Sequence, residues 1–191
     1  MPDRRTEILD TALDVLAAHG LRGLTHRAVD RAATLPAGST SYYFRTREAL
    51  VNGCVRRLLE LDRADVRAPE GPAPGLDRLA DLATEACVRM VTTNAKRTRA
   101  RYELALHSIR TPALRRELVE AGDLLRDGIA EVLGRLGASE PARAAEEVAA
   151  VMDGLVFTAL VRGPRGGEQL RRWLRPQLHR VLAAHLPGDP H

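Results

Sequence analysis

Between Thr25 and Leu50 the chain combines hydroxyl, guanidinium and very small side chains at helical spacing. Thr25 is placed to cap a helix, because its hydroxyl can accept a bond from a backbone N–H one turn later. Ala28, Val29, Ala32 and Ala33 give that helix one apolar face. Leu35-Pro36 ends it, since proline lacks the N–H and restricts the residue before it. Pro36 is then expected in the first turn of a second short helix, about 37–43. There Ala37, Gly38, Ser39, Thr40 and Ser41 precede Tyr42, Tyr43 and Phe44. Arg27, Arg31, Arg45 and Arg47 surround the pair with positive charge, and His26 can add to it. Two short helices joined by a tight turn suit the major groove of DNA: small residues approach base edges closely, and guanidinium groups hold phosphates. An ordinary helical hairpin with solvated arginines has the same spacing, so both readings stand at this point.

The elements that must carry these residues are helices. Of 191 residues 45% are hydrophobic but only 3% aromatic, so the core is chiefly Ala, Leu and Val, and an all-α class is expected. Asp3 can cap a first helix reaching about His19, with Ile8, Leu9, Ala12, Leu13 and Leu16 on one face and Gly20 as its stop. Thr46 caps a fourth helix from Arg47 to about Asp65. The run APEGPAPG over 68–75 marks a loop or hinge. Further helices are expected over about 76–91, 95–109, 112–136, 141–162 and 168–185, about nine in all, before a tail at 187–190 that should fray. The functional partition expected is 1–47 for the helix-turn-helix unit and 48–191 for a helical bundle.

Several classes are disfavoured. Cys54 and Cys87 are far apart in apolar helical patterns and read as reduced core residues. The six histidines form no H-x-x-x-H pair, so neither a metal site nor a cofactor is expected. The N-terminal MPDRRTEILD has no apolar signal segment, and no run approaches the ~20 apolar residues of a membrane span, so a cytoplasmic protein without a membrane partner is expected. The net charge is +4 with a pI near 9.7, which permits nucleic-acid binding without establishing it. The preference for arginine over the single Lys96 also follows from GC-rich coding.

The run over 33–50 resembles the DNA-binding domain of TetR-family transcriptional regulators. Their usual pattern is approximately Ala-Gly-Val-Ser-x-Gly-Thr-Leu-Tyr-x-Tyr-Phe-x-x-Lys-Glu-x-Leu. Ala33, Gly38, Ser39, Tyr43, Phe44, Glu48, Ala49 and Leu50 match it. Thr34 stands where glycine is usual, Leu35 where valine is, and Pro36 where a capping serine is. Thr40 replaces an aliphatic residue, Ser41 replaces a tyrosine that commonly touches a phosphate, and Arg47 replaces lysine. A weaker likeness to the family's ligand-binding half lies at 97–104 (RTRARYEL) and 111–115 (TPALR). The resemblance implies a homodimeric repressor on a palindromic double-stranded operator, released by a small-molecule effector. It implies a phosphate contact for Thr25 and a guanine edge or phosphate for Arg27. Ala37, Ser39, Thr40 and Tyr42 would face the groove, Gly38 would allow close approach, and Tyr43 and Arg47 would clamp the DNA backbone.

Two further groups follow from apolar patterning. The eighth helix carries Val148, Val151, Met152, Leu155, Val156 and Ala159, and the ninth Leu170, Trp173, Leu174, Leu178, Val181 and Leu182. Helices apolar this broadly are either central in their own bundle or shared with a partner. The resemblance implies a four-helix dimer interface built from these two helices and their copies. The sixth helix carries Tyr102, Leu106 and Ile109 on one line and Ala100, Leu104 and His107 on another. A helix buried on two sides sits in the middle of its domain, and Ala100, Leu104 and His107 together with Cys87, Met90 and Phe157 are expected to line an effector chamber in which His107 orients the ligand; a core histidine bonded to a nearby carbonyl is the alternative. A small helical-bundle enzyme and a DNA-binding protein without ligand response remain alternatives for the whole chain. The sequence names neither the effector nor the operator, and leaves repressor and activator open.

Overall fold

The computed structural model describes residues 3–65, 74–163 and 166–187, with only the backbone of 63, 65, 121 and 124. Most of the expected break at 68–75, Pro164-Arg165 of the loop before the ninth helix, and the tail at 188–190 lie outside the described residues. Among those described, the chain forms nine helices and no strand: α1 (Arg4–Gly23), α2 (His26–Ala32), α3 (Ser39–Tyr43), α4 (Arg47–Asp65), α5 (Leu76–Val91), α6 (Ala95–Ser108), α7 (Pro112–Arg135), α8 (Pro141–Arg162) and α9 (Gly167–Ala183). Asp3 caps α1 by accepting from the Arg5 N–H, and Thr46 caps α4 by accepting from the Ala49 N–H at 3.0 Å. Gly20 interrupts α1 with φ 62°, a left-handed conformation that glycine adopts without steric cost. Pro176 lies inside α9, where a helix breaker would be least expected. It is exposed, and the Gln177 side chain donates to the Trp173 carbonyl at 2.8 Å beside it.

The chain divides into two compact units. One comprises Met1–Asp65 and Lys96–Ala121, the other Val66–Ala95 and Gly122–His191. This differs from the partition at 47/48 read from the sequence. The reason is packing: Leu50, Cys54, Val55 and Leu58 of α4 share one core with Ile8, Leu9, Leu13 and Leu16 of α1, and Ala100 and Leu104 of α6 join it. Within this unit Asp62 of α4, only 8% exposed, accepts from Arg101 of α6 at 2.5 Å and lies 3.8 Å from Arg97. In the other unit α5 packs on α8 and α9. Leu170, Leu174, Leu178 and Leu182 recur every fourth residue along α9 and are all buried. Arg171 forks onto Glu85 at 2.5 and 3.1 Å, and Arg175 reaches Asp81 and Asp77 at 2.6 and 2.7 Å, tying α9 to α5.

Candidate nucleic-acid interface

The interface is built from α2, α3 and the turn between them. Thr25 Oγ1 accepts from the Ala28 N–H at 3.1 Å, which caps α2 and leaves the hydroxyl hydrogen free to donate outward. At the other end of α2, Leu35 N–H donates to the Asp30 carbonyl at 2.8 Å and Thr34 N–H to the Arg31 carbonyl at 3.2 Å. This paired closure is the Schellman arrangement, and it requires left-handed backbone at the donor of the inner bond, the residue after the C-cap. That residue is Thr34, at φ 55°. The position is the one where the family pattern has glycine.

The chain then turns through Pro36. Ser39 N–H and Oγ–H both donate to the Pro36 carbonyl, at 3.1 and 2.7 Å, and Gly38 takes φ 93°. Pro36 and Ala37 therefore precede α3 rather than opening it, and the helix is shorter than the sequence suggested. Asp30, 4% exposed, reaches across from α2. Its carboxylate accepts from Gly38 N–H at 2.9 Å, Thr40 N–H at 2.7 Å and the Thr40 hydroxyl at 2.6 Å. Burial pushes this carboxyl upward, but the bonds from Thr40 and Gly38 outweigh it and hold the group below the ordinary carboxylate value. Sequence reading missed Asp30. The available signal was a polar residue at position 40, where the pattern is aliphatic, since a buried hydroxyl needs a partner.

Phe44 closes the unit from beneath. It is 1% exposed, Arg5 lies over its ring at 4.9 Å, and its carbonyl accepts from His26 Nε2 at 2.7 Å. That bond defines His26 as the tautomer protonated at Nε2 or as the cation. Tyr43 is half-buried against the core and meets Tyr42 edge to face at 5.2 Å, whereas Tyr42 is 73% exposed.

Of the residues assigned to the groove, Thr25, Arg27, Ala37, Gly38 and Tyr42 are exposed and Ser39 is partly so. Thr40 is not: it is fully buried, because its hydroxyl and N–H are both bound to Asp30. Arg47 is exposed, but its guanidinium donates to the carbonyls of Leu21 and Leu24 at 2.5 and 3.4 Å, which makes it a C-terminal cap for α1. Ser41 is exposed beside Tyr42 and joins the outward face. Arg27, Arg31 and Arg45 are exposed and take part in no ion pair among the described residues. A small-residue helix end with one projecting tyrosine, on a unit that also exposes the unpaired guanidinium groups of Arg27, Arg31 and Arg45, has the chemistry to bind phosphates and touch base edges.

The α6 residues are arranged otherwise than expected. Ala100 and Leu104 are fully buried in the core shared with α1 and α4. His107 contacts Thr111 Oγ1 at 3.3 Å and borders an open groove of about 500 Å³ with His19, Gly20 and Glu103. Leu106 and Ile109, expected inside, are 61% and 71% exposed: Leu106 lies on the open face of α6, and Ile109 follows the helix end. Ala100, Leu104 and His107 belong to the first unit, and Cys87, Met90 and Phe157 to the second. Cys87 is buried, which pushes its thiol up to about 12, Met90 is half-buried, and Phe157 is 52% exposed.

The residues proposed for dimerisation also divide. Val148, Leu155, Val156, Ala159, Leu170, Leu174 and Leu178 are buried within the chain itself, so they are core residues; Met152, Trp173 and Val181 are half-buried. The exposed stripe of α8 is Ala150, Gly154, Phe157 and Val161, at offsets of four, seven and eleven.

Residues 8–54 match the model of bacterial regulatory proteins of the tetR family, and residues 74–184, more than half the chain, match the tetracyclin repressor-like C-terminal domain. The chain belongs to the TetR family of transcriptional regulators. It is 38% identical over 79 residues to the HTH-type transcriptional repressor KstR2 of Rhodococcus jostii (strain RHA1), a match that spans 41% of this chain and only 38% of that repressor. A transcriptional regulator from Rhodococcus sp. Rha1 has the same fold, with a TM-score of 0.80 at 21% identity over 98% of this chain and all of the other. The multidrug binding protein EbrR complexed with ethidium aligns with a TM-score of 0.68 at 28% identity, over 97% of this chain and all of that one. In this TetR-family chain the helix-turn-helix is thus α2 and α3, held on α1 and α4. No helix among the described residues is long and apolar enough to cross a membrane, and no group of three or more His, Cys, Asp or Glu among them could hold a metal ion.

Proposed function

We propose that this chain is a homodimeric repressor that reads a palindromic operator with the face formed by Ala37, Gly38, Ser41 and Tyr42 and is released by a small-molecule effector. The observation that carries the reading is that Ala37 and Gly38 in the turn and Ser41 and Tyr42 on α3 are exposed, with Arg27, Arg31 and Arg45 exposed in the same unit and in no ion pair among the described residues. Thr25 and the arginines hold phosphates and set orientation; the short side chains and Tyr42 contact base edges.

One five-residue helix touches few bases, and a two-fold pair reads two half-sites one helical turn apart. The exposed stripe Gly154, Phe157 and Val161 of α8 supports such pairing. An added Cβ on Gly154 would meet nothing within 4 Å in the single chain, so another helix can approach there closely. Release by an effector is supported by EbrR, a relative that holds ethidium. In this chain the route would be the buried Asp62 joint, since α6 is bonded through it to α4, and only three residues separate the end of α3 from the start of α4. Linkage then makes effector and operator weaken each other by one common factor.

The test is selection from a pool of random duplexes. A two-fold symmetric motif is expected, and a protein that enriches no motif contradicts the proposal. Loss of the complex on adding a compound from a metabolite library, with the reciprocal loss of compound on adding DNA, tests the effector.

A further inference from the structure

We propose that Asp30 is a positioning residue for sequence readout: it sets the rotation of α3 and so decides which side chains meet the bases. The proposal rests on the reading that α3 enters the groove.

A five-residue helix does not hold its own geometry, because its first N–H groups have no partner within it. Gly38, its N-cap, has no side chain to supply one. Asp30 supplies the cap from the neighbouring helix. One oxygen takes the Gly38 N–H, the other takes both the N–H and the hydroxyl of Thr40, and all three distances fall between 2.6 and 2.9 Å. The Asp30 carbonyl meanwhile accepts from Leu35 N–H at 2.8 Å. A single residue thus holds the C-terminal closure of α2 and the N-terminus of α3, so the turn between them cannot shift by itself.

An aliphatic residue at position 40, as the family pattern has it, would be held by packing alone. Thr40 is held by directed bonds. Turning α3 by one residue, about 100°, would carry its hydroxyl away and leave a buried carboxylate without donors, which is the costly outcome. With Thr40 fixed inward at 0% exposure, Ser41 and Tyr42 are fixed outward. Asp30 itself is buried and reaches no DNA. Its loss therefore changes base readout while leaving the phosphate contacts of Arg27, Arg31 and Arg45 in place.

The test measures affinity for the selected operator and for a scrambled duplex by fluorescence anisotropy, at a temperature where circular dichroism shows each variant folded. Asp30→Ala should lose at least about tenfold on the operator and stay within about threefold on the scrambled duplex. Asp30→Asn should do no better, because an amide offers one acceptor and two donors to three donors. Thr40→Ser, which keeps all three bonds, should match wild type. A structural role alone would lower both affinities in proportion to the unfolded fraction, so the ratio is the readout. If Asp30→Ala does not fold, Asp30→Ala with Thr40→Leu fills the same space with an apolar pair; it should fold and still lose operator preference. Wild-type preference in either folded variant overturns the proposal. A wild-type protein that itself prefers no duplex overturns the functional reading instead.

Discussion

Among the described residues Thr34 is the only one other than glycine with positive φ, at 55°. A β-branched side chain pays about 1–2 kcal/mol for that conformation, and glycine costs about 0.5–1 kcal/mol of extra chain entropy. Thr34→Gly should therefore stabilise the fold by up to about 1 kcal/mol, raising the melting temperature by roughly 2–4 °C in a chain of this size. An unchanged or lowered temperature would show that the turn has relaxed around threonine. Asp30 makes a second residue-scale prediction. Its folded-state carboxyl lies below the ordinary value of 3.8, so its stabilisation is present above that value and is lost as pH falls through the folded-state value. Urea unfolding should show wild type more stable than Asp30→Ala at neutral pH, the gap narrowing only as pH falls below about 4. A gap that closes nearer neutrality would contradict the hydrogen-bond assignment. Arg27→Ala should cost operator binding about 1–3 kcal/mol if the guanidinium pairs with a base. If it holds a phosphate, the loss should be similar on every duplex and the salt slope should fall by about 1. Wild-type affinity at two salt concentrations would remove Arg27 from the interface. The caps at Asp3, Thr25 and Thr46 were legible because capping is decided within four residues of chain. Thr40 was misplaced and Asp30 overlooked because their bond spans ten residues and depends on how two helices meet.

At the scale of elements, helix positions followed from local signals: caps, Pro112 and Pro141 at helix starts, and glycine at Gly20. What local signals could not show is which apolar stripe faces which neighbour. α8 is apolar on several sides, and periodicity weights Val156 at 0% exposure and Phe157 at 52% alike. The same holds for α4, placed by sequence with the bundle but packed on α1. Gly53 shows how closely. A Cβ added there would lie 2.8 Å from both Leu9 Cδ2 and Phe44 Cε1. Gly53→Val should destabilise the chain by roughly 1–3 kcal/mol through overpacking, although glycine is the poorer helix former. Thermal melts that match wild type would mean the α1–α4 contact is looser than its distances state.

At the scale of the molecule, DNA reading, pairing and release are expected to act together. Leu155 and Val156 cannot test pairing, since a charge there would enter the chain's own core. Phe157→Arg combined with Val161→Arg can, because both positions are exposed. The double variant should melt within a few degrees of wild type, sediment as a monomer and lose most operator affinity; a dimer of undiminished affinity would move the interface away from α8. The central claim is that two copies of one short helix read two half-sites. Its most direct test is the mass of the complex, by analytical ultracentrifugation, on a duplex carrying the selected site and on a scrambled one. The account predicts two chains on the selected duplex and, at the same concentration and moderate salt, none on the scrambled one. A single chain bound, or equal binding to both duplexes, would contradict it.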